Sequence, residues 1–323
     1  MADLAKSTVL TGDPADPKGC IYIDNETGVR FREHIIDTGS GKEPVRICQI
    51  TDIHFNKLTD EDRKNPELAY TEQCRVWLKD GGSIPSCDKA IMFSRYADAT
   101  VITGDVLDFL SQGAIELMHK HIWDVDSNII ITQGNHEYRY QMQTKRPELT
   151  PISERLAILE KNWLHDIYYY SRLVGGRVLI VALDNGRDTY SDMQAKRLAA
   201  DIAAAREMGY VILIFQHEAI STGKEEDTVV KAIMDYYGEF FNFYETIGHG
   251  AEGATAQVYK LITENADVIK GVYVGHLHSA FYTEIKASYI NKNGEKVDTV
   301  IPQICLEGNF YDNAGHVMKI EVR

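Results

Sequence analysis

The feature that most constrains this chain is a recurrence of short apolar, β-branched runs that each end in metal-binding residue types. "VRICQITDIHF" (45–55), "ATVITGDVLD" (99–108), "NIIITQGNHE" (128–137), "YVILIFQHE" (210–218) and "DVIKGVYVGHLH" (267–278) are the informative five. They close on Asp52 and His54, on Asp105, on Asn135 and His136, on His217, and on His276 and His278. A sixth run, "RVLIVALDNG" (177–186), ends more modestly. Between the runs, helical patterns cover 112–124, 151–163, 191–208 and 255–264. Strands alternating with helices imply a layered α/β domain whose buried strands are too apolar to alternate strictly. In open α/β sheets the carboxyl ends of strands are where sites are assembled, so five such endings point to one shared metal centre. Gly104, Gly134 and Gly275 precede ligands and are expected to allow a sharp exit from each strand.

Spacing alone does not make a histidine pair a metal site. His119 and His121 stand two apart, as His276 and His278 do, but inside a helical pattern, where such residues point to roughly opposite sides. At a strand exit the two side chains of "GHLH" can diverge and serve neighbouring ions.

The formal charge of −14 disfavours an extended nucleic-acid surface, which needs basic side chains, but leaves room for a small phosphorylated substrate. Five cysteines without a CxxC pair suit free thiols in a reducing compartment, although Cys74 and Cys87 could bridge a loop. No secretory signal or membrane-length apolar run is present, so the default expectation is a cytoplasmic protein without a membrane partner. Oligomeric state is left open.

The order "DIH", "GDVLD", "GNHE", "FQHE", "GHLH" closely resembles the calcineurin-like metallophosphoesterase superfamily, in its non-purple branch. The resemblance implies an α/β fold: a four-layer α/β/β/α sandwich with two facing mixed β-sheets. The C-terminal runs "AFYTEIKASYI", "EKVDTVIPQICL" and "HVMKIEVR" would supply the antiparallel part of the second sheet. Residues 1–18 are expected to be a tail and 19–323 a single domain, with insertions at about 55–98, 138–175 and 218–254. By the same resemblance, Asp52, His54, Asp105 and His278 hold one ion, and Asp105, Asn135, His217 and His276 hold a second. The mixed nitrogen and oxygen set admits manganese, iron or zinc. The implied activity is hydrolysis of a phosphate mono- or diester by in-line attack of hydroxide drawn from water between the ions. His136 would stabilise the transition state or protonate the leaving oxygen, and Asp108 would orient His136. Asp108 is also a plausible helix-start residue.

Tyr138 and Arg139, directly after "GNHE", could contact a phosphate or leaving group, and Asn185 and His249 could reach the same crevice. The aromatics of "DYYGEFFNFYETIGHG" could stack on a base or pack into core. The rival to an enzyme is a catalytically silent scaffold of the same fold that binds a protein partner. A mononuclear zinc hydrolase of another family would show HExxH or a comparable zinc signature, and none is present.

Overall fold

The computed structural model describes residues 7–11, 20–75, 83–141, 147–221, 227–237, 247–248 and 252–323. Its strands are β1 (Ser7–Thr11), β2 (Ile21–Asp24), β3 (Arg30–Ile36), β4 (Val45–Ile50), β5 (Ala99–Thr103), β6 (Ile130–Thr132), β7 (Tyr169–Val174), β8 (Val178–Leu183), β9 (Val211–Phe215), β10 (Ile220–Ser221), β11 (Ile247–Gly248), β12 (Ile269–Val274), β13 (Phe281–Ile290), β14 (Lys296–Cys305) and β15 (His316–Val322). The helices are α1 (Pro66–Cys74), α2 (Ile84–Ser94), α3 (Gln112–Met118), α4 (Ile152–Asn162), α5 (Asp192–Met208), α6 (Thr228–Tyr237) and α7 (Gly253–Thr263). A π-helical turn, His119–Trp123, extends α3. There His119 Nε2 lies 2.9 Å from the Asn162 carbonyl, whereas His121 Nδ1 lies 2.8 Å from Asp88 Oδ1, so the pair diverges.

Two mixed sheets face each other, in the orders β1-β2-β3-β15-β4-β5-β6 and β13-β14-β12-β9-β8-β7, with β10-β11 as a separate two-stranded ribbon. Successive residues of a strand point to opposite faces, and here each face meets a different apolar core. Ile47, Val101 and Ile130 enter the core between the sheets, together with Ile180, Leu213, Phe215 and Tyr273 from the facing sheet. Their neighbours Cys48, Ile102 and Ile131 face outward beneath α2, α3 and α4. Val181, Ile214 and Val272 face the opposite outer layer of α5, α6 and α7. The expected four-layer α/β/β/α sandwich is therefore the fold, and burial on both faces explains the nearly continuous apolar runs.

Two expectations need correction. "HVMKIEVR" does not join the second sheet: β15 inserts between β3 and β4 of the first, parallel to β3 and antiparallel to β4. Period-two burial is the same in either sheet, so alternation alone does not choose the partner. The choice shows in contacts such as the buried ammonium of Lys319, which pairs with Glu33 beside it on β3. Residues 7–11, placed in a tail, form β1, antiparallel to β2 at the sheet edge. All five cysteines are free thiols. No helix among the described residues is long and apolar enough to cross a membrane.

Polar contacts also join the two sheets: Gln49 Nε2 of β4 donates to the Val274 carbonyl of β12 at 2.9 Å, and half-buried His34 makes another. His34 Nδ1 of β3 lies 2.8 Å from the Tyr273 hydroxyl of β12, and burial pushes this imidazole down to about 4. A histidine whose folded value lies below its unfolded one keeps its neutral form above the unfolded value and loses stability as pH falls toward the folded one. For His34 that window runs from 6.5 to about 4, and the loss reaches up to about 3 kcal/mol. Urea unfolding of metal-free protein at about pH 7.5 and about pH 4.5 should show a smaller acid loss for His34→Gln than for the parent chain. Equal losses would mean that His34 does not set the acid sensitivity.

Candidate metal centre

The strands stop short of the ligand candidates, which lie on the loops just beyond the tips of β4, β5, β6, β9 and β12. Asp52, His54, Asp105 and Asn135 come from the first sheet, and His217, His276 and His278 come from the second. Six non-glycine residues among those described have positive φ, and five are ligand candidates: Asp52 (50°), His54 (53°), Asp105 (49°), His276 (68°) and His278 (56°). Each left-handed residue costs about 1–2 kcal/mol, and such strain concentrates at functional sites. The ligand residues themselves therefore make the sharp exits.

The preceding glycines serve a partly different purpose from the one expected. Only Gly104 among the three has positive φ, at 84°. All three sit where a Cβ would collide: 2.5 Å from His217 Nδ1 at Gly104, 2.2 Å from Asp105 Oδ1 at Gly134, and 1.9 Å from Thr51 Oγ1 at Gly275. Close approach of backbone to ligand, more than backbone freedom, is what requires them.

The donor atoms converge in two groups. Asp52, His54, Asp105 and His278 form one, and Asp105, His217 and His276 form another. In the first, His54 Nε2 and His278 Nε2 lie 3.3 Å apart, and His278 Nε2 is 3.2 Å from Asp52 Oδ1. In the second, His276 Nδ1 is 3.2 Å from His217 Nε2 and 3.1 Å from Asn135 Oδ1, and His217 Nε2 is 3.2 Å from Asp105 Oδ2. Ligand atoms bound at about 2.1 Å lie about 3.0 Å apart across a right-angled edge and about 3.4 Å apart across a tetrahedral one. These separations fall between those limits, while His54 Nε2 stands farther from the two carboxylates, 3.8 Å from Asp52 Oδ1 and 3.7 Å from Asp105 Oδ2.

The outward-facing atoms explain why these donors aim inward. His54 Nδ1 is 3.1 Å from Asp108 Oδ1, His217 Nδ1 is 2.7 Å from the Thr103 carbonyl, and His278 Nδ1 is 3.1 Å from the Tyr311 hydroxyl. Such partners fix the ring and leave the other nitrogen for a cation. Asp52 Oδ2 accepts from Thr51 Oγ1 (2.6 Å) and the His276 N–H (3.0 Å), whereas buried Asp52 Oδ1 accepts no hydrogen bond. Asp105 Oδ1 accepts the His136 N–H at 3.0 Å, so Oδ2 alone faces both groups, 3.2 Å from His217 and 3.7 Å from His54.

Electrostatics agree with a cation site. Burial alone would raise the Asp52 carboxyl, but His278 and His54 hold it well below the usual carboxylate range. Burial opposes charge on His217, yet the Asp105 carboxylate pushes that imidazole up to about 10. Asp108, Asp52 and Asp105 likewise outweigh burial at His54 and push it up to about 9. The carboxylates thus favour positive charge at the centre of this pocket. An orphaned carboxylate oxygen, ligand-like edges and this negative potential together fit metal ions.

Asp108 lies against His136, the residue it is implied to orient, and meets other partners as well. Its carboxylate meets His54, accepts from Asn56 Nδ2 at 2.7 Å and Arg75 Nε at 2.9 Å, and pairs with a second Arg75 nitrogen. Its side chain lies 3.5 Å from His136 Nδ1, but that nitrogen is closer to the Asp108 backbone carbonyl, at 2.7 Å. His54, Asp108 and His136 also lie close enough to form a cluster. The Arg75 guanidinium already supplies its positive charge. Burial lowers the His136 imidazole, leaving Nε2 toward the centre, 3.8 Å from Asp105 Oδ2.

The suggested substrate contacts fare unevenly. Tyr138 is buried and donates to Asp184 Oδ2 at 2.7 Å. Asn185 is fully buried: its Oδ1 accepts the His217 and Glu218 N–H groups at 3.0 Å, and its Nδ2 donates to the Glu218 carbonyl at 2.9 Å. Both therefore brace the framework instead of facing a substrate. Arg139 lies exposed on the turn after His136. His249 and the aromatic side chains of its segment lie outside the described residues.

Several supports had not been singled out. Glu137 accepts the Gly134, Asp105 and Leu107 N–H groups at 2.7, 3.0 and 2.9 Å, tying two ligand loops together. Its place in "GNHE" was the available signal. Arg75, at the end of α1, had none, because only the fold carries it to Asp108.

The chain matches the family described as calcineurin-like phosphoesterase over residues 45–280, a span that includes every ligand candidate. No curated protein matches it. Among solved structures it is similar to a dimetal phosphatase from Danio rerio, at 13% identity and a TM-score of 0.46, covering 85% of this chain and 91% of that one. A purple acid phosphatase from yellow lupin seeds is similar at 12% identity and a TM-score of 0.48, covering 87% of this chain and 46% of that one. Phosphopantetheinyl hydrolase from Mycobacterium tuberculosis is similar at 10% identity and a TM-score of 0.35, covering 82% of this chain and 90% of that one. With the family match spanning most of the sequence and the ligand candidates gathered at one end of the sandwich, the chain belongs to the calcineurin-like phosphoesterase family.

Proposed function

We propose that this chain is a dinuclear-metal-dependent phosphoesterase that hydrolyses a phosphate mono- or diester by in-line displacement at phosphorus. The observation that carries this reading is Asp105 Oδ2, a single oxygen facing both donor groups. Asp52, His54, Asp105 and His278 would hold one ion, and Asp105, Asn135, His217 and His276 the other. A nitrogen and oxygen set without thiolate takes manganese, iron or zinc. When bound, such ions supply an activated water and neutralise charge on phosphoryl oxygens.

The chain's own residues do the rest. Asp105 sets the spacing of the two subsites, and Thr51 turns the free oxygen of Asp52 inward. Asp108, clamped by Arg75, fixes the His54 ring. His136 keeps its Nδ1–H on the Asp108 carbonyl, so Nε2 faces the centre, where it would take up a proton and, as imidazolium, pass it to the leaving oxygen. The formal charge of −14 favours a small substrate over an extended polyanion.

The test is to strip the protein of metal, then add back manganese, ferrous iron or zinc separately and assay aryl phosphate mono- and diesters. Turnover should be absent from stripped protein and return as about two ions per chain bind. Turnover that persists without metal, or none with any ion, would overturn the reading.

A further inference from the structure

The loop from residue 306 to 315 carries β14 of the second sheet across to β15 of the first, past the donor groups. It is pinned to the turn that bears Asp52. The Asn309 N–H donates to the Asp52 carbonyl at 2.8 Å, and its side chain, fully buried, donates to the His316 carbonyl at 3.0 Å and accepts from Ser86 Oγ at 3.0 Å. At Gly308 a Cβ would sit 2.9 Å from Phe310 Cε1 and 3.2 Å from Asp52 Cβ, so the loop lies flush against the ligand turn.

Two aromatics stand on this anchored loop. Phe310 is nearly buried, edge-on to His54 and to His278 with ring centroids 4.7 Å away in each case. Tyr311 lies over Phe310, centroids 4.0 Å apart at 35° between planes, and its hydroxyl is 3.1 Å from His278 Nδ1. Yet Tyr311 is 63% exposed. A large ring that is backed by another ring and tied at its hydroxyl to a ligand histidine is a prepared surface. A planar group stacking on it would order little that is not ordered already.

We propose that Phe310 and Tyr311 form the substrate-selecting wall of this centre, accepting phosphate esters whose alcohol carries a planar aromatic ring, an aryl group or a nucleobase. This rests on the phosphoesterase reading for turnover, though not for binding. The two halves of Tyr311 have separate duties: the hydroxyl positions His278, and the ring stacks on substrate.

The experiment compares phenyl phosphate with cyclohexyl phosphate, and adenosine 5′-monophosphate with ribose 5-phosphate, in the parent chain, Tyr311→Phe and Tyr311→Leu. Comparing the ratio of kcat/KM within each pair across variants cancels the differing reactivity of the leaving groups. Tyr311→Leu should lower the ring-to-ringless ratio by about tenfold, the scale of one lost stacking contact, and Tyr311→Phe should keep it. A fall in the phenyl pair alone identifies aryl esters, and one in the adenosine pair identifies nucleotides. Unchanged ratios in Tyr311→Leu overturn the proposal. Calorimetric binding of phenylphosphonate against methylphosphonate gives a readout that needs no turnover. If no ester is hydrolysed, the phosphoesterase reading fails by itself. The wall then stands on a phenyl preference that Tyr311→Leu abolishes, and falls if the two phosphonates bind alike or not at all.

Discussion

Asp105→Asn should abolish the binding of both ions together and lower turnover by roughly 10³-fold or more, the scale of losing one preorganised electrostatic partner. The substitution is nearly isosteric, and an amide oxygen can still accept the His136 N–H that Asp105 Oδ1 accepts at 3.0 Å. What disappears is the negative charge on Oδ2, which lies within 3.8 Å of His217, His54 and His136. An amide placed there would either aim N–H groups at the cations or offer a weak neutral oxygen. Elemental analysis is the direct readout, with far-ultraviolet circular dichroism as the control for folding. Loss of one ion with retention of the other would mean that Asp105 serves a single subsite. Retention of both with normal turnover would remove the basis for the shared centre.

His136→Ala should behave in the opposite way, keeping both ions while turnover falls by roughly 10²–10⁴-fold, the usual worth of a positioned proton donor. His136 Nε2 faces the centre, 3.8 Å from Asp105 Oδ2. Its ring is held at Nδ1 by the Asp108 carbonyl at 2.7 Å, with the Asp108 carboxylate 3.5 Å from the same nitrogen. The loss should be smaller for substrates with good leaving groups, which need less help from a proton. If metal content drops with activity, His136 is a ligand and the division of roles fails.

Much of the fold was legible in the sequence because a metal centre at strand ends places unlike residues in like positions. Asp52, Asp105, Asn135, His217 and His276 each follow an apolar run, and that repetition survives without any alignment. The supports were less legible. Arg75 reaches Asp108 from a helix end more than thirty positions away, and no periodicity encodes that meeting. Tyr138 and Asn185 were placed near the chemistry by sequence adjacency, but their polar atoms turn into the framework, where buried groups must find partners. The wall at Phe310 and Tyr311 was missed for the same reason that β15 was assigned to the wrong sheet. The loop between them matters only because its two ends belong to different sheets.

That the donors come from both sheets has a mechanical consequence. Each proposed ion would draw ligands from the two layers at once, so the cations would act as rivets at one end of a sandwich held elsewhere by apolar packing and by contacts such as His34–Tyr273 and Gln49–Val274. Sliding one layer over the other would then require breaking coordination bonds, and resistance to unfolding would climb with the concentration of free metal in the medium.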